Sequence, residues 1–319
     1  MILTVTPNPS LDRTYEVPSL VRGAVLRATG DRVDPGGKGV NVSRAVAAAG
    51  HRTTAVLPLG GAPGALIAEL LGAQGVDVTA VSISGQTRSN ISLVEPDGTL
   101  TKINASGPEL TPTESALLLG TVHGCSGGAR WIACCGSLPR GLEPHWYAEL
   151  VTRAHEGGAR VALDTSGPAL LAALAARPDV IKPNAGELAR AVGRPLSTLG
   201  DVLDAARELR SLGAGAVLAS LGADGQLLVA GDGVHYGTAQ VPADRVRSNV
   251  GAGDASLAGF LVAGGAGPAA LASALAHGAA AVRLPGSAMP TPADLDPEGV
   301  RVITEDLPLD LVLSDPVTA

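Results

Sequence analysis

Residues 248–260 read SNVGAGDASLAGF, a glycine-rich turn that runs into an apolar segment and carries a single carboxylate. Gly251, Ala252 and Gly253 can bring three backbone N–H groups together, and the apolar run after them predicts a helix. The first N–H groups of a helix lack internal partners and favour an anion. Asp254 could cap this helix or act as a general base beside an anion hole. An Asp that only caps a helix does not require small residues before it, which leave the backbone N–H groups accessible. The sequence therefore favours Asp254 as a general base beside an anion hole.

The composition is that of a globular protein with an aliphatic interior. The chain has 319 residues, of which 45% are hydrophobic but only 2% aromatic, so Ala, Val and Leu must build the core. This length suits one large α/β domain with additional elements at its edge, or two smaller domains. The net charge of −7 argues against binding to nucleic acid or a membrane surface through overall charge. An anionic ligand would need a local cationic cluster.

Three features bear on the compartment of the protein. Cys125, Cys134 and Cys135 form no CxxC pair, and two of them are adjacent in an apolar run, which predicts reduced core residues of a cytosolic protein. The chain starts with MILTVT, which predicts a first strand and not a signal peptide. Residues 255–282 contain no Asp, Glu, Lys or Arg, but glycines and a proline interrupt them. We therefore expect two buried helices joined by a turn, and no membrane span.

Apolar strand-like runs alternate with helical runs along most of the chain. The predicted strands are 2–5, 53–59, 129–135, 161–164, 180–182 and 216–220. The predicted helices are 42–49, 65–71, 114–122, 144–155, 169–175, 185–192 and 203–212. This alternation predicts a mainly parallel sheet with helices on both faces, a class of fold whose active sites lie at the carboxyl ends of the strands.

Two stretches break this alternation. Residues 10–34 and 87–104 show alternating, more polar strand patterns, and residues 95–98 (EPDG) suit a hairpin turn. Neither stretch has room for a helix between its strands. We expect them to form a small β-sheet that projects from the main domain, as a lid or a dimer surface does. After Pro290 the sequence is loop-like, with one edge strand expected at 300–303.

A second glycine-rich motif, PGGKGVNVS, occupies residues 35–43. It lacks the GxxxxGK[ST] spacing of a Walker loop. Glycine would let ligand hydroxyls approach the backbone, and Asn41 could supply both a donor and an acceptor, but an ordinary loop also fits. The chain has only three lysines, Lys38, Lys102 and Lys182, against 20 arginines. All three lie in or next to the segments singled out, where a compact point charge has a use.

A third motif, KPNAGE at 182–187, ends a predicted strand and opens a helix. Asn184 and Glu187 are three residues apart, so they share one face of the first helical turn. Two interpretations stay open at this point. The pair could form a capping box, or it could orient water around a magnesium ion, which prefers oxygen ligands and keeps several waters.

Together the motifs resemble a known family. GGKGVNVS at 36–43, NAGE at 184–187 and VGAGD at 250–254 are similar, in order and spacing, to the signatures of ribokinase-like sugar kinases of the phosphofructokinase B subgroup. The resemblance covers nearly the whole chain. It implies one ribokinase-like kinase domain over residues 1–319, an α/β fold in which a small projecting β-sheet forms the lid.

Further motifs resemble the 1-phosphofructokinase and tagatose-6-phosphate kinase branch of this family. They are TPNPSLD at 6–12 and TRSNI at 87–91, followed by DGT at 97–99 and Asn104. The resemblance implies an ATP-dependent kinase of fructose 1-phosphate, with tagatose 6-phosphate as the alternative substrate. A non-catalytic sugar-phosphate sensor is a rival of another class, but a sensor has no need of the base Asp254.

The resemblance also implies a role for each motif residue. Asp254 would accept the proton of a sugar hydroxyl, while the N–H groups of Gly251, Ala252 and Gly253 stabilise the transferring phosphoryl group. The residues expected to hold the sugar phosphate are Asp12, Gly37, Lys38, Asn41, Arg88, Asn90 and Ser137. Among them we expect Arg88 to bind the phosphate already on the sugar, because its planar fork suits phosphate oxygens. The role of Arg140 stays open.

The residues expected to hold ATP are Lys182, Asn184, Ser220, Gly222 and Gly225, and adenine would rest on aliphatic side chains between this loop and residues 277–281. Asn184 and Glu187 would hold Mg²⁺ through water. The resemblance leaves dependence on a monovalent cation open. It makes a homodimer through the lid an expectation, with no nucleic-acid or membrane partner.

Overall fold

A computed structural model describes residues 1–317 of the protein. Within this range the strands are β1 (Ile2–Val5), β2 (Ser10–Glu16), β3 (Gly30–Gly36), β4 (Thr53–Leu59), β5 (Asp77–Ser82), β6 (Arg88–Val94), β7 (Leu100–Ile103), β8 (Trp131–Cys135), β9 (Arg160–Asp164), β10 (Val180–Ile181), β11 (Leu196–Thr198), β12 (Ala216–Ser220), β13 (Gln226–Ala230), β14 (Gly233–Ala239), β15 (Val300–Ile303) and β16 (Val312–Val317). The α-helices are α1 (Lys38–Ala48), α2 (Gly61–Ala73), α3 (Pro112–Ser126), α4 (Trp146–Glu156), α5 (Gly167–Leu174), α6 (Ala185–Val192), α7 (Leu199–Ser211), α8 (Ala252–Val262) and α9 (Gly267–Val282).

The main sheet confirms the predicted α/β architecture. Its strand order is β15-β14-β13-β12-β10-β9-β8-β1-β4-β5. The run from β12 to β5 is parallel, and β13, β14 and β15 extend it antiparallel. Buried side chains of α1, α8 and α9 pack on one face, and those of α3 to α7 pack on the other. Because both faces are covered, the central strands are continuous apolar runs.

The small sheet is also confirmed. Strands from the two predicted stretches form a separate four-stranded sheet with the order β3-β2-β6-β7. The EPDG segment joins β6 to β7, which pair antiparallel as a hairpin. The central pair, β2 and β6, is parallel. This sheet is called the lid sheet below.

The start of the first helix differs from the prediction. The sequence places it at Val42, whereas α1 begins at Lys38 with Gly37 as its N-cap. Gly39 therefore lies in the first helical turn, where a Cβ atom would collide with the hydroxyl of Thr6. Glycine at this position permits close packing of the helix on the strand end and does not form a loop. As a result, Lys38 and Asn41 belong to a rigid helix.

The prediction omitted several strands. The hairpin β13–β14 turns at Gly231–Asp232, a two-residue loop that the sequence analysis did not recognise. The tail after Pro290 is not only loop and edge strand, because β15 is followed by β16, which pairs with the short β11. The backbone N–H and the hydroxyl of Ser314 both donate to the carboxylate of Asp224, at 2.8 and 2.6 Å. The pairing of β16 with β11 and the contact of Ser314 with Asp224 join segments that are far apart in the chain, so the local sequence pattern does not reveal them.

The charge-free stretch forms the two predicted buried helices, α8 and α9, joined by a turn that contains Gly264 and Gly265. None of the helices in residues 1–317 is both long and apolar enough to cross a membrane. All three cysteines are free, and Cys134 and Cys135 are buried in β8, as predicted for core residues.

Candidate active site

The N-terminus of α8 presents bare backbone, and Asp254 is not its cap. Gly251 is the N-cap, with φ at 81°, in the left-handed region that glycine adopts without strain. No side chain caps this helix end. Asp254 is the third helical residue, so the capping interpretation of this carboxylate is wrong. The first N–H groups of α8 remain available to an anion.

Two adjoining cavities meet beside this helix end. The α8 cavity has a volume of about 470 Å³ and is lined by Lys38, Asp164, Lys182, Asn184, Ala185, Gly186, Glu187, Ser220, Leu221, Gly222, Asp224, Gly251, Gly253, Asp254 and Leu313. The lid cavity has a volume of about 420 Å³ and is lined by Thr6, Asn8, Ser10, Asp12, Gly37, Lys38, Arg88, Asn90, Lys102, Asn104, Gly136, Ser137, Leu138, Thr165, Ser166, Ala169 and Glu187. Lys38 and Glu187 line both cavities, so they mark the junction.

Asp254 is held as a buried carboxylate that can change its protonation near neutral pH. Asp254 is 8% exposed, and Asn41 Nδ2 donates to Asp254 Oδ2 at 2.8 Å. Burial, with repulsion from Asp164, raises the pKa of Asp254 to about 7, against the opposing effects of Lys182, Asn41 and Lys38. A base whose pKa lies near the working pH is well matched to proton transfer.

Asp164 ends β9 and pairs with two lysines, a feature that the sequence analysis missed. Its carboxylate oxygens lie 2.7 Å from Lys38 Nζ and 2.9 Å from Lys182 Nζ. Burial alone would raise the pKa of Asp164, but attraction to Lys182 and Lys38 keeps it below the ordinary value. Burial would lower the pKa of each lysine, yet Asp164 holds both above the ordinary value. A lone carboxylate at the carboxyl end of a buried strand was the available signal.

The Asn184–Glu187 pair forms the capping box of α6. Asn184 Oδ1 accepts from the Glu187 N–H at 2.8 Å, and Glu187 Oε2 accepts from the Asn184 N–H at 3.0 Å. Glu187 Oε1 lies outside this reciprocal pair, 3.3 Å from Lys38 Nζ. Across residues 1–317, no group of three or more His, Cys, Asp or Glu side chains could hold a metal ion alone. The donor set therefore suits only an ion that keeps water or ligand oxygens around it.

The lid cavity brings together most of the predicted sugar-side residues. Asp12 Oδ1 accepts from Asn90 Nδ2 at 2.9 Å, and Gly37 and Ser137 line the same space. Arg88 also lines it, but its two terminal nitrogens donate to the backbone carbonyls of Ala105 at 2.8 Å and Asn8 at 2.9 Å. Burial lowers the pKa of Arg88. Part of its donor capacity thus holds the cavity wall together.

The lid cavity also contains polar residues outside the predicted site, among them Lys102 and Asn104. Lys102 lies on β7, is exposed, and forms no ion pair with any of the described residues. All three lysines of the chain therefore line the two cavities. The scarcity of lysine in the sequence was the signal that could have assigned Lys102 to the site.

Several predicted contacts lie outside the cavities. Asn41 lines neither of them, since its amide is turned toward Asp254. Ala252 and Gly225 also line neither, and a Cβ atom at Gly225 would collide with the Gly237 carbonyl oxygen, so this glycine is needed for packing. Arg140 is exposed and lines neither cavity. Residues 277–281 do not line the α8 cavity, whose apolar wall instead includes Leu221 and Leu313.

This arrangement, an uncapped helix end beside a buried carboxylate and two lysines, agrees with the family match. The pfkB family of carbohydrate kinases matches residues 8–294. The chain belongs to the pfkB family. It is a phosphotransferase that acts on a hydroxyl group, with the ribokinase-like fold.

Similar proteins include kinases of phosphorylated fructose. A 1-phosphofructokinase of Rhodobacter capsulatus is 43% identical over 262 residues, covering 82% of each chain. A 1-phosphofructokinase of Haloferax volcanii is 38% identical over 264 residues, covering 82% of this chain and 84% of the relative. The crystal structure of phosphofructokinase-2 from Escherichia coli in complex with potassium superposes with a TM-score of 0.86 at 33% identity, covering 92% of this chain and 96% of that one.

The buried carboxylate makes a prediction about stability. Folding raises the pKa of Asp254 from 3.8 to about 7, so the unfolded chain releases this proton at lower pH than the folded protein. The free energy of unfolding therefore falls as the pH rises from 3.8 to about 7, and Asp254 causes no further loss above that range. The side chain of Asp254→Asn does not ionise, so this variant avoids the loss. Its free energy of unfolding at pH 8 should therefore exceed that of the wild type by up to about 4 kcal/mol.

Urea unfolding at pH 4 and pH 8 measures this difference. The advantage of the amide variant should be small at pH 4 and should grow by pH 8. An advantage that is equal at both pH values would show that Asp254 does not titrate in this range.

Proposed function

We propose that the protein transfers the γ-phosphoryl group of ATP to the 6-hydroxyl of fructose 1-phosphate, giving fructose 1,6-bisphosphate and ADP. The observation that carries this proposal is the position of Asp254, a buried carboxylate beside the bare N-terminus of α8 and near the junction of two cavities. The α8 cavity would take the triphosphate, and the lid cavity would take the sugar. The 1-phosphofructokinases among the similar proteins support this choice of substrate.

In the proposed reaction Asp254 takes the proton of the 6-hydroxyl. The hydroxyl oxygen forms a bond to the γ-phosphorus while the bond from that phosphorus to the bridging oxygen of ADP breaks. The N–H groups at the start of α8, including that of Gly253, would stabilise negative charge on the moving phosphoryl group. Most of the rate in phosphoryl transfer comes from such positioning and charge stabilisation, and general-base assistance adds about 10²–10⁴-fold.

The two lysines around Asp164 would hold the phosphates of ATP. Lys182 is 6% exposed and lies close to Gly253, with its Nζ 3.2 Å from the point where a Cβ atom of that glycine would be. Lys38 marks the junction with the lid cavity. Asp164 keeps both side chains protonated and directed into the α8 cavity, so they need no reorganisation when an anion arrives.

The residues present fit Mg²⁺ that is held largely by phosphate and water. Glu187, with Asn184 behind it, would hold the ion through water, because its Oε1 is the carboxylate oxygen left outside the capping box. Bound Mg²⁺ would neutralise charge on the phosphates. Glu187 also faces Lys38, so it would keep the cation of that lysine oriented at the junction.

The phosphate already on the sugar would bind at the far end of the lid cavity, to Arg88 and Lys102. Arg88 is partly committed to backbone carbonyls, whereas Lys102 has no ion-pair partner among the described residues. Asp12 and Asn90 would bind sugar hydroxyls, since they form a hydrogen-bonded pair in the same cavity. This arrangement would place the 6-hydroxyl toward Lys38 and Asp254.

Steady-state kinetics test the substrate. With ATP and Mg²⁺ we expect kcat/KM for fructose 1-phosphate to exceed that for tagatose 6-phosphate by at least about 10-fold, and that for free fructose by at least about 10³-fold, because charged contacts to phosphate would be lost. A higher kcat/KM for tagatose 6-phosphate would overturn the assignment to fructose 1-phosphate.

Asp254→Asn is the catalytic control in the same assay. It should bind the sugar phosphate with nearly unchanged affinity by calorimetry, while kcat falls by at least about 10²-fold. Near-normal turnover in this variant would sink the assignment of the base. Binding without ADP release in the wild type would instead support a non-catalytic sensor.

Lys102 gives a second test of the sugar site. Lys102→Met should raise KM for fructose 1-phosphate by roughly 10-fold, because a charged contact to phosphate is lost, and should leave KM for ATP unchanged. Arg140→Met is the matched control, since Arg140 is an exposed cation near the same loops that lines neither cavity. Equal effects of the two substitutions would exclude a specific contact from Lys102.

A homodimer through the lid sheet is also part of the proposal. Its strands and loops expose apolar side chains, among them Val25 at 85% and Ile103 at 57%. Exposed apolar surface of this kind favours burial against a partner. Sedimentation equilibrium should give twice the monomer mass, and Val25→Glu should shift it toward the monomer. A wild-type monomer at micromolar concentration would refute the dimer.

Two further expectations concern the domain organisation and the location of the protein. We propose that residues 1–319 form one kinase domain, which the family match over residues 8–294 supports. The cytosolic location predicted from the cysteines stays a prediction, and the three free thiols agree with it.

A further inference from the structure

Arg44 is a buried cation with no carboxylate in contact. It lies on α1, one turn beyond Asn41, and is 7% exposed. Its guanidinium donates to neutral oxygens: Gln74 Oε1 at 2.7 Å, Asn41 Oδ1 at 3.2 Å and Ser287 Oγ at 3.3 Å. Within residues 1–317 it has no ion-pair partner. Burying an unpaired charge is costly, so packing alone does not explain an arginine at this position.

The contacts of Arg44 continue to the proposed base. Arg44 Nη1 donates to Asn41 Oδ1, and Asn41 Nδ2 donates to Asp254 Oδ2 at 2.8 Å. A guanidinium has only donors, a carboxylate has only acceptors, and a side-chain amide has one end of each kind. The amide of Asn41 can therefore satisfy both neighbours in one orientation only, with its oxygen toward Arg44 and its NH₂ group toward Asp254.

We propose that Arg44 is a positioning residue for the proton-transfer step, locking the Asn41 amide so that its NH₂ group always faces Asp254 and supports the ionised carboxylate. This inference rests on the proposed function insofar as Asp254 is the base. Arg44 itself lines neither cavity and would touch no substrate.

Loss of Arg44 would remove the only described group that holds the amide oxygen. The Asn41 side chain could then flip and direct Oδ1 at the Asp254 carboxylate. An acceptor facing a carboxylate favours the protonated form, because only a protonated oxygen can donate to it. The base would then ionise at higher pH, although every residue that lines the two cavities is unchanged.

The charges around these residues come from several elements. Asp254 is influenced by Asp164 from β9, Lys182 from the end of β10 and Lys38 from α1. Arg44 is influenced by Asp34 and Arg32 from β3 and by Asp12 from β2. No charge is shared between these two sets. A change at Arg44 should therefore reach Asp254 through the Asn41 amide and not through a common ion.

The pH dependence of kcat/KM tests the inference. The pKa of Asp254 in the wild type is raised to about 7, so kcat/KM should fall as the pH drops below this value; this part of the pH profile is called the acid limb. Arg44→Met should move the acid limb to higher pH by about 1 pH unit, since a hydrogen bond to a carboxylate is lost. At pH 7 this shift lowers kcat/KM roughly 5-fold, with recovery toward the wild-type value at about pH 9. A purely structural role would lower kcat/KM at all pH values without moving the limb, and this result would overturn the proposal.

Matched variants distinguish an effect of Arg44 that passes through the Asn41 amide, called the relay below, from an effect on packing. Ser287→Ala removes another contact of the same Nη1 atom, and the acid limb should stay at its wild-type position. Asn41→Leu should shift the limb as Arg44→Met does, and the double variant should shift it no further, because both act on one hydrogen bond. Additive shifts would show that Arg44 acts on Asp254 by another route.

A titration without turnover keeps the inference distinct from the proposed function. ¹³C NMR of Asp-labelled protein follows the Asp254 carboxyl, which the Asp254→Asn variant assigns, in the wild type and in Arg44→Met. An upward shift in this pKa supports the relay even if fructose 1-phosphate is not the substrate, and an unchanged pKa refutes it. If Arg44→Met does not fold, Arg44→Lys serves, because one ammonium cannot replace both Nε and Nη1; it should shift the pKa in the same direction by about half a unit, and no shift refutes the relay.

Discussion

The active site depends on burying carboxylates and lysines together at the carboxyl edge of the sheet. Asp164 is fully buried and lies against Lys38 and Lys182, so neither the acid nor the two cations stand alone in a poorly solvating environment. An unpaired charge at this depth would be costly and would neutralise itself by a pKa shift. Because Asp164 is paired, both lysines stay charged and remain directed into the α8 cavity.

Asp254 lacks such a partner, and this difference supports its proposed role as the base. It lies in the same charged neighbourhood but receives a neutral amide from Asn41 in place of an ammonium contact. Burial and the nearby Asp164 therefore raise its pKa to about 7, whereas the pKa of Asp164 is lowered. Two carboxylates on neighbouring elements thus divide the work: one anchors cations, and the other can exchange a proton. Environments that separate two pKa values commonly assign acid–base roles.

In the proposed reaction, the two sheets would supply the ATP side and the sugar side. The main sheet and the N-termini of α1, α6 and α8 surround the α8 cavity, while the lid sheet contributes Asp12, Asn90 and Lys102 to the lid cavity. Lys38 and Glu187 stand where these cavities meet, on helices that are anchored to the main sheet. The junction is therefore held by rigid elements, and the lid side is built from strands of a separate sheet. Such a division suits a kinase that must admit its sugar and then exclude water.

Much of this protein could be predicted from local sequence. Alternating apolar runs predicted the parallel sheet because a strand buried on both faces must be continuously apolar, and the glycine turn before Asp254 predicted an anion site because helix N-termini leave N–H groups free. Local sequence carried signals for Asp164 and Lys102, but it could not predict where these side chains meet others, the contribution of Leu313 or the orientation of Asn41. These features depend on neighbours distant in the chain: Asp164 on two lysines from other elements, Lys102 on the assembly of the lid sheet, Leu313 on the pairing of β16 with β11, and the Asn41 amide on Asp254, which accepts from it. The sequence by itself determined which chemical groups were present and which elements carried them, since propensity and periodicity are local. Only the tertiary structure decided which groups were paired and which carboxylate was left to titrate, because burial and charge pairing arise when distant segments meet.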